Sequence, residues 1–226
     1  MDFEPWPGDC RRNSSSPFEG THPPQPLTGR KRLSSPIHLV IGLGNPGARY
    51  AMTRHNAGFW FVDGLASHSR QTFRAAAGFQ GEECRIEIEG RTCRLFKPTT
   101  FMNHSGLAVA ALFHYYRYAP EEVLIVHDEI DLPPGIARLK QGGGHGGHNG
   151  LRNIMTHINT SDFNRLRIGV GHPGHRDDVV NYVLRSTPAE EQDLIEEAIS
   201  RAYGVFSQVI AGNIARAMNT LHVSAT

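Results

Sequence analysis

Asn45, His55, Asn56, Asn103, Asp128, His145, His148 and Asn149 are the polar side chains of this sequence whose types could activate a water or hold it in place, and they gather where apolar runs end. A histidine backed by a carboxylate is the usual means of activating water. The carboxylate sets the imidazole tautomer and stabilises the cation formed on proton uptake. An asparagine amide offers both donor and acceptor, which suits holding a water or a carbonyl in place. Serine or cysteine nucleophiles are not indicated. There is no G-x-S-x-G elbow, and Cys84 and Cys93 both fall on an expected hairpin. The plain alternative is that His55 lies exposed on a polar arm and that the asparagines are turn residues.

Two glycine-rich loops flank these residues. Gly42, Gly44 and Gly47 follow the apolar run 37–41 and spell G-x-G-x-x-G. A dinucleotide site needs that loop to open directly into a helix, with an acidic residue ending the next strand. Here a polar arm carrying Tyr50, Arg54, His55 and Asn56 intervenes. Asp63 sits among Phe59, Val62, Leu65 and Ala66 at helical spacing, so the match reads as accidental. The second loop packs five glycines into 142–147 and carries His145 and His148. Its entropic cost implies mobility or close approach to a ligand. It is no P-loop, since no Gly-Lys-Ser/Thr follows. His145 and His148 lack a third ligand at zinc-like spacing, whereas a helix opening near Asn149 would present free N–H groups to a phosphate.

The elements that must position these groups alternate between strand and helix. Strand 37–42 is followed by helix 58–69 and by a hairpin over 80–97 turning at Glu89-Gly90-Arg91. Helix 106–118 is expected to turn Leu107, Ala110, Ala111 and His114 or Tyr115 inward. The continuous apolar run 123–126 is typical of a strand buried on both faces, and it ends at His127-Asp128-Glu129. Strand 136–140, helix 149–158, strand 166–170 and helix 177–184 come next. Thr187-Pro188-Ala189-Glu190 reads as a capping box with proline at the first helical position, opening a long helix toward Ile210. The pattern predicts an α/β protein: a single three-layer domain with a mixed twisted sheet flanked by helices.

Composition sets the outer limits. The 226 residues suit one domain plus an appendage. Residues 1–35 hold six of the 14 prolines without apolar periodicity, and are expected to be a disordered extension before a catalytic domain over 36–226. That stretch has five basic and four acidic residues, unlike an acidic-poor transit peptide. No run approaches the roughly 18 apolar residues of a membrane span. Three cysteines make no disulfide framework, which fits a reduced, cytoplasmic protein. The net charge of +1 is unevenly spread: residues 36–186 carry 16 basic against 13 acidic side chains, and 187–226 carry two against five. That leaves room for a local basic patch, though solvated surface charge is its default meaning.

Five blocks together resemble the bacterial-type peptidyl-tRNA hydrolases, in the order that family has them. They are GLGNPGARYAMTRHNAGF (42–59), KPTTFMNHSG (97–106), HDEIDLPPG (127–135), KQGGGHGGHNGLRNI (140–154) and RLRIGVGHPG (165–174). The resemblance spans about residues 37–220. It implies a monomeric hydrolase, free of metal and cofactor, that cleaves the ester joining a peptide to the terminal ribose of tRNA. The family's catalytic histidine then corresponds to His55 and its aspartate partner to Asp128. Asn45 and Asn103 would position peptide and water, and Asn149 would line the channel toward the tRNA. Tyr50 and Met102 match cleft positions, and Lys140, Arg167 and Arg176 match positions that meet the tRNA backbone. Arg167 has a second reading, as the solvent-facing member of the alternation Leu166-Arg167-Ile168. Two other functions compete: a non-catalytic RNA-binding relative, and an oxidoreductase resting on the three glycines alone. The 35-residue extension is the chief departure from the family's pattern.

Overall fold

Short runs of aliphatic residues become the central strands here because both faces of each are covered. A computed structural model describes residues 35–223, so the extension assigned to 1–35 lies outside the described residues save for Ser35. In chain order the elements are β1 (Leu39–Gly42), α1 (Ala57–His68), β2 (Arg74–Ala76), β3 (Gly81–Ile88), β4 (Arg91–Pro98), α2 (Ser105–Tyr116) and β5 (Val123–Glu129). They continue with β6 (Ala137–Gln141), α3 (Asn149–Ile158), β7 (Asn164–Gly169), α4 (Val179–Leu184), α5 (Ala189–Gly204), α6 (Phe206–Ile210) and α7 (Ile214–Val223). The strands form one mixed sheet in the order β2-β3-β4-β1-β5-β7-β6. One face packs on α1, α5, α6 and α7 around Phe61, Leu124, Leu166 and Phe206. The other packs on α2 and α3 around Ile41, Phe96, Ile125 and Leu151. The expected three-layer α/β architecture is therefore the observed one.

β1 pairs in parallel with β4 on one side and β5 on the other, and the chain leaves β1 into α1 on one face of the sheet but leaves β4 into α2 on the other. A crevice opens where that happens, and α/β sheets bind ligands there. The glycines of the first loop serve packing at this point. A Cβ on Gly42 would lie 2.4 Å from the Gly58 carbonyl oxygen, and one on Gly58 would lie 2.3 Å from that of Val126. The space a Gly44 side chain would need is filled by the Phe59 ring, 2.6 Å away. Asp63 lies inside α1 and pairs with Lys97, so the G-x-G-x-x-G run belongs to helix–sheet contact and not to a dinucleotide. Gly58→Ala should accordingly destabilise the fold by about 3 kcal/mol, the upper end of overpacking. Equilibrium denaturation would show it as a lower midpoint with an unchanged slope.

Several local expectations change. α2 buries Ala108, Val109 and Leu112, while Leu107 and Tyr115 are exposed. The helix is apolar nearly all round, so periodicity could not choose its inner face. Contact with α3 does: a Cβ on Gly106 would meet the Asn153 carbonyl oxygen at 2.4 Å. The capping box does not form, because Pro188 is itself the cap residue and the Thr187 hydroxyl bonds to the Met52 carbonyl. The helix it opens ends at Gly204, and α6 starts separately after Val205. Cys93 pairs across the hairpin with Ile86, and burial pushes the Cys84 and Cys93 thiols up to about 11 and about 12. Both are free thiols and inert at neutral pH. Among the described residues no helix is long and apolar enough to cross a membrane.

Candidate active site

The loop after β1 and the polar arm before α1 are joined by their asparagines. The Asn45 backbone N–H donates to Asn56 Oδ1 at 2.8 Å, and Asn56 Nδ2 donates to the Asn45 carbonyl at 3.0 Å. The Asn45 side-chain oxygen accepts the Met102 N–H at 2.8 Å, tying in the segment ahead of α2. These bonds leave Asn45 Nδ2 without a partner among the described residues, on a side chain that lines the cleft. Arg54 anchors the arm from behind. It is fully buried, pairs with Glu191 at 2.6 Å, and donates to the Tyr182 carbonyl near the end of α4. One wall of the cleft, α4, and the turn carrying His55 are thus fastened to one another.

His55, in a single 3-10 turn over Arg54–Asn56, points its Nδ1 at both carboxylate oxygens of Asp128, 2.9 and 3.0 Å away. Asp128 is next to last in β5 and is 3 % exposed. A third group joins them. His148 Nε2 lies 3.0 Å from Asp128 Oδ1, reaching over the strand end from the α3 side of the sheet. Its Nδ1 caps α3 by accepting the Leu151 N–H, so its proton sits on Nε2 and is donated to Asp128. Asp128 thus takes two imidazole N–H groups, and His55 Nε2 is left as the ring's free acceptor. Burial by itself raises the Asp128 carboxyl, but His55 and His148 together hold it well below the usual carboxylate range.

His127 and Glu129 face away from Asp128, as strand alternation requires, and both have partners. His127 donates from Nδ1 to the Asp128 carbonyl and packs edge-on against His148, with ring centroids 5.0 Å apart. Burial, with His148 beside it, pushes its pKa down to about 3, so this ring stays neutral. Glu129 accepts from Arg167 Nε at 2.8 Å.

Around these groups opens a cleft of about 560 Å³. Asn45, Tyr50, His55, Met102, Asn103, Asp128, Asn149 and Arg176 all line it. Tyr50 meets Phe101 edge-to-face, Asn103 is exposed at the rim, and Asn149 begins α3. Val179, Val180, Val183 and Leu184 of α4 make an apolar wall. Lys140 and Arg167 do not line the cleft; they stand on β6 and β7 beside it. Arg167 lies on the opposite face from buried Leu166 and Ile168, as alternation predicts, yet Glu129 holds it. Sequence reading placed His148 near the site without giving it a role, because its bond to Asp128 spans 20 residues and needs α3 and β5 side by side. Arg54, in the sequence only a member of the polar arm, gains its role from Tyr182 and Glu191, 128 and 137 positions away.

One ring nitrogen each of His55 and His148 and an Asp128 oxygen lie within 4.8 Å of one another, a spacing a metal ion could also use. Here the same atoms satisfy each other by hydrogen bonds. His145 Nδ1 accepts the Gly147 N–H, so the paired histidines of the glycine loop point to separate tasks.

The sequence profile of the family described as "Peptidyl-tRNA hydrolase" matches residues 39–226. The peptidyl-tRNA hydrolase of Halorhodospira halophila is 53 % identical over 186 residues, covering 82 % of this chain and 96 % of the relative. That of Acinetobacter baylyi is 52 % identical over 188 residues, covering 83 % and 97 %. The crystal structure of the Acinetobacter baumannii peptidyl-tRNA hydrolase superposes with a TM-score of 0.79 at 49 % identity, over 82 % of this chain and 94 % of that one.

Proposed function

Because the chain belongs to the peptidyl-tRNA hydrolase family, we propose that it cleaves the ester between a peptide and the terminal ribose of tRNA, with the chemistry carried by residues 36–226. The observation that carries this reading is Asp128 holding two imidazoles at the head of the cleft. Asp128 fixes His55 as the Nδ1–H tautomer, so Nε2 takes a proton from water as that water attacks the ester carbonyl. The proton then goes to the ribose oxygen that leaves. Asn45 Nδ2, which has no partner among the described residues, is placed to steady the carbonyl oxygen as charge develops on it. Asn103 at the rim and Asn149 at the start of α3 bracket the ester, with Tyr50, Met102 and the α4 valines receiving the peptide. No cofactor or metal is required by this sequence of steps, and the protein works on this reading as a cytoplasmic monomer.

The tRNA backbone is assigned to Lys140 and Arg167, with Arg176 at the cleft mouth. Support comes from the sheet register. Lys140 stands opposite Arg165 and Arg138 opposite Arg167 on the antiparallel pair β6–β7. Like charges facing across strands cost stability, and a polyanion offsets that cost. Lys140→Ala should weaken tRNA binding and lower the slope of log K against log salt by about one. Arg167→Ala should weaken binding further, because it also unmasks the Glu129 carboxylate, and adding Glu129→Gln should remove the excess. Titrations in increasing salt decide; slopes unchanged by both substitutions would move the footprint elsewhere.

The direct test is release of N-acetylaminoacyl groups from tRNA, compared with the same tRNA bearing a free amino group. Fast release from the blocked substrate alone supports hydrolysis of peptidyl-tRNA. Tight tRNA binding without release would make this protein an RNA-binding member of the fold.

A further inference from the structure

Arg165 is buried without a carboxylate. It is 3 % exposed on β7, makes no ion pair among the described residues, and its Nε has no partner. Glu129, the acidic group among the described residues that acts on it, is committed to Arg167. Burial and the neighbouring Arg167 both work against its charge. A buried charge left unpaired is expensive, so its remaining contacts must account for it. They are the Phe163 ring, 5.9 Å from the guanidinium carbon, and two carbonyls of one loop. Nη1 donates to Gly144 O at 2.8 Å, and Nη2 donates to Gly142 O.

Elsewhere the loop is held only near its ends, where the Gly142 N–H donates to the Phe163 carbonyl at 3.0 Å and the Gly147 N–H to His145 Nδ1. Gly142, Gly143, Gly146 and Gly147 all have positive φ, a region glycine enters freely, so the backbone there has many alternatives. A Cβ on Gly143 would lie 3.0 Å from Arg165 Nη2 and 3.1 Å from Lys140 Cε, so the loop rests directly on these two side chains. From Gly144 the chain passes through a turn closed by His148 N–H to His145 O at 2.9 Å, and reaches the His148 ring that bonds Asp128.

We propose that Arg165 is a positioning residue for hydrolysis, clamping the glycine loop so that His148 keeps its bond to Asp128. The inference rests on the reading of His55, Asp128 and His148 as the hydrolytic group. A lysine is a poor replacement, because its donors radiate from one nitrogen, whereas two separate guanidinium nitrogens reach the two carbonyls here.

The test uses Arg165→Met, Arg165→Lys and His148→Gln, singly and combined, on the full chain with N-acetylaminoacyl-tRNA. Arg165→Met removes the unpaired charge and keeps the side-chain volume, so its thermal midpoint should equal or exceed the parent's. Its kcat should still fall by about ten- to a hundred-fold with KM little changed, the scale of a small misplacement of a reacting group. Arg165→Lys should also lose kcat. In the His148→Gln background, Arg165→Met should cost nothing further, because both act through one bond. A lowered midpoint with unchanged kcat per folded molecule would make Arg165 purely structural and overturn the proposal. Additive losses would overturn it as well. An inactive clamp with an active His148 dependence would sink this inference alone, whereas a silent His148→Gln would also remove His148 from the hydrolytic group.

Discussion

His55→Ala should lose about 10²–10⁴-fold in kcat, the usual worth of a positioned general base, while tRNA binding and the denaturation midpoint stay close to the parent's. The expectation follows from what each nitrogen does. Nδ1 is spent on Asp128, and Nε2 is the only acceptor the ring offers to water. The other histidines of the cleft do not substitute for it, since His145 and His172 each commit Nδ1 to a backbone N–H of their own loops. His148 uses its Nδ1 to cap α3 and its Nε2 on Asp128, and His127 is buried behind the site. The tRNA contacts assigned to Lys140 and Arg167 lie outside the cleft, so affinity and rate should separate in this variant. Single-turnover release at saturating enzyme measures the rate without the binding step. A variant as fast as the parent would take His55 out of the mechanism.

Asp128→Asn should be at least as damaging, with a loss of about 10⁴-fold in kcat, the scale on which an amide fails to replace an orienting carboxylate. Asp128 accepts from two imidazoles, whereas an asparagine presents an NH₂ toward one of them. Either the His55 tautomer reverses, moving its proton to Nε2, or His148 loses its acceptor. The substitution also has a signature in stability. The Asp128 carboxyl is depressed by its two histidine neighbours, so its contribution is present at neutral pH, above the ordinary carboxylate range. That contribution is lost as pH falls through the depressed folded value, in strongly acid solution. Asp128→Asn lacks this carboxylate contribution, so the stability gap between parent and variant should narrow on acidification. Denaturation midpoints at neutral and acid pH check this, and a gap that widened toward low pH would contradict the assigned charge state.

What was legible in the sequence follows from which signals are local. The run Val123–Val126 could be read as a buried central strand because aliphatic continuity has no other economical use. The Asn45, His55, Asn103, Asp128 and Asn149 positions were legible through long motifs, and they do converge on one cleft. α2 shows the opposite case. Leu107 and Tyr115 face outward because a small residue, Gly106, lets α3 approach on one side, and no periodicity in a helix apolar all round encodes that.

The sequence alone determined the alternation of strands and helices, and therefore a layered α/β sheet, because burial of aliphatic runs is a property of neighbouring residues. It also determined the family and which side chains stand at strand ends. Only the tertiary structure decided which of those side chains are partners. That His148 shares Asp128 with His55, that Arg54 fastens α4 to the arm carrying His55, and that Arg165 is spent on loop carbonyls each require residues 20 to 128 positions apart to meet. A hydrogen bond acts over about 3 Å, and chain order carries no record of such a distance until the sheet has brought the ends of its strands together.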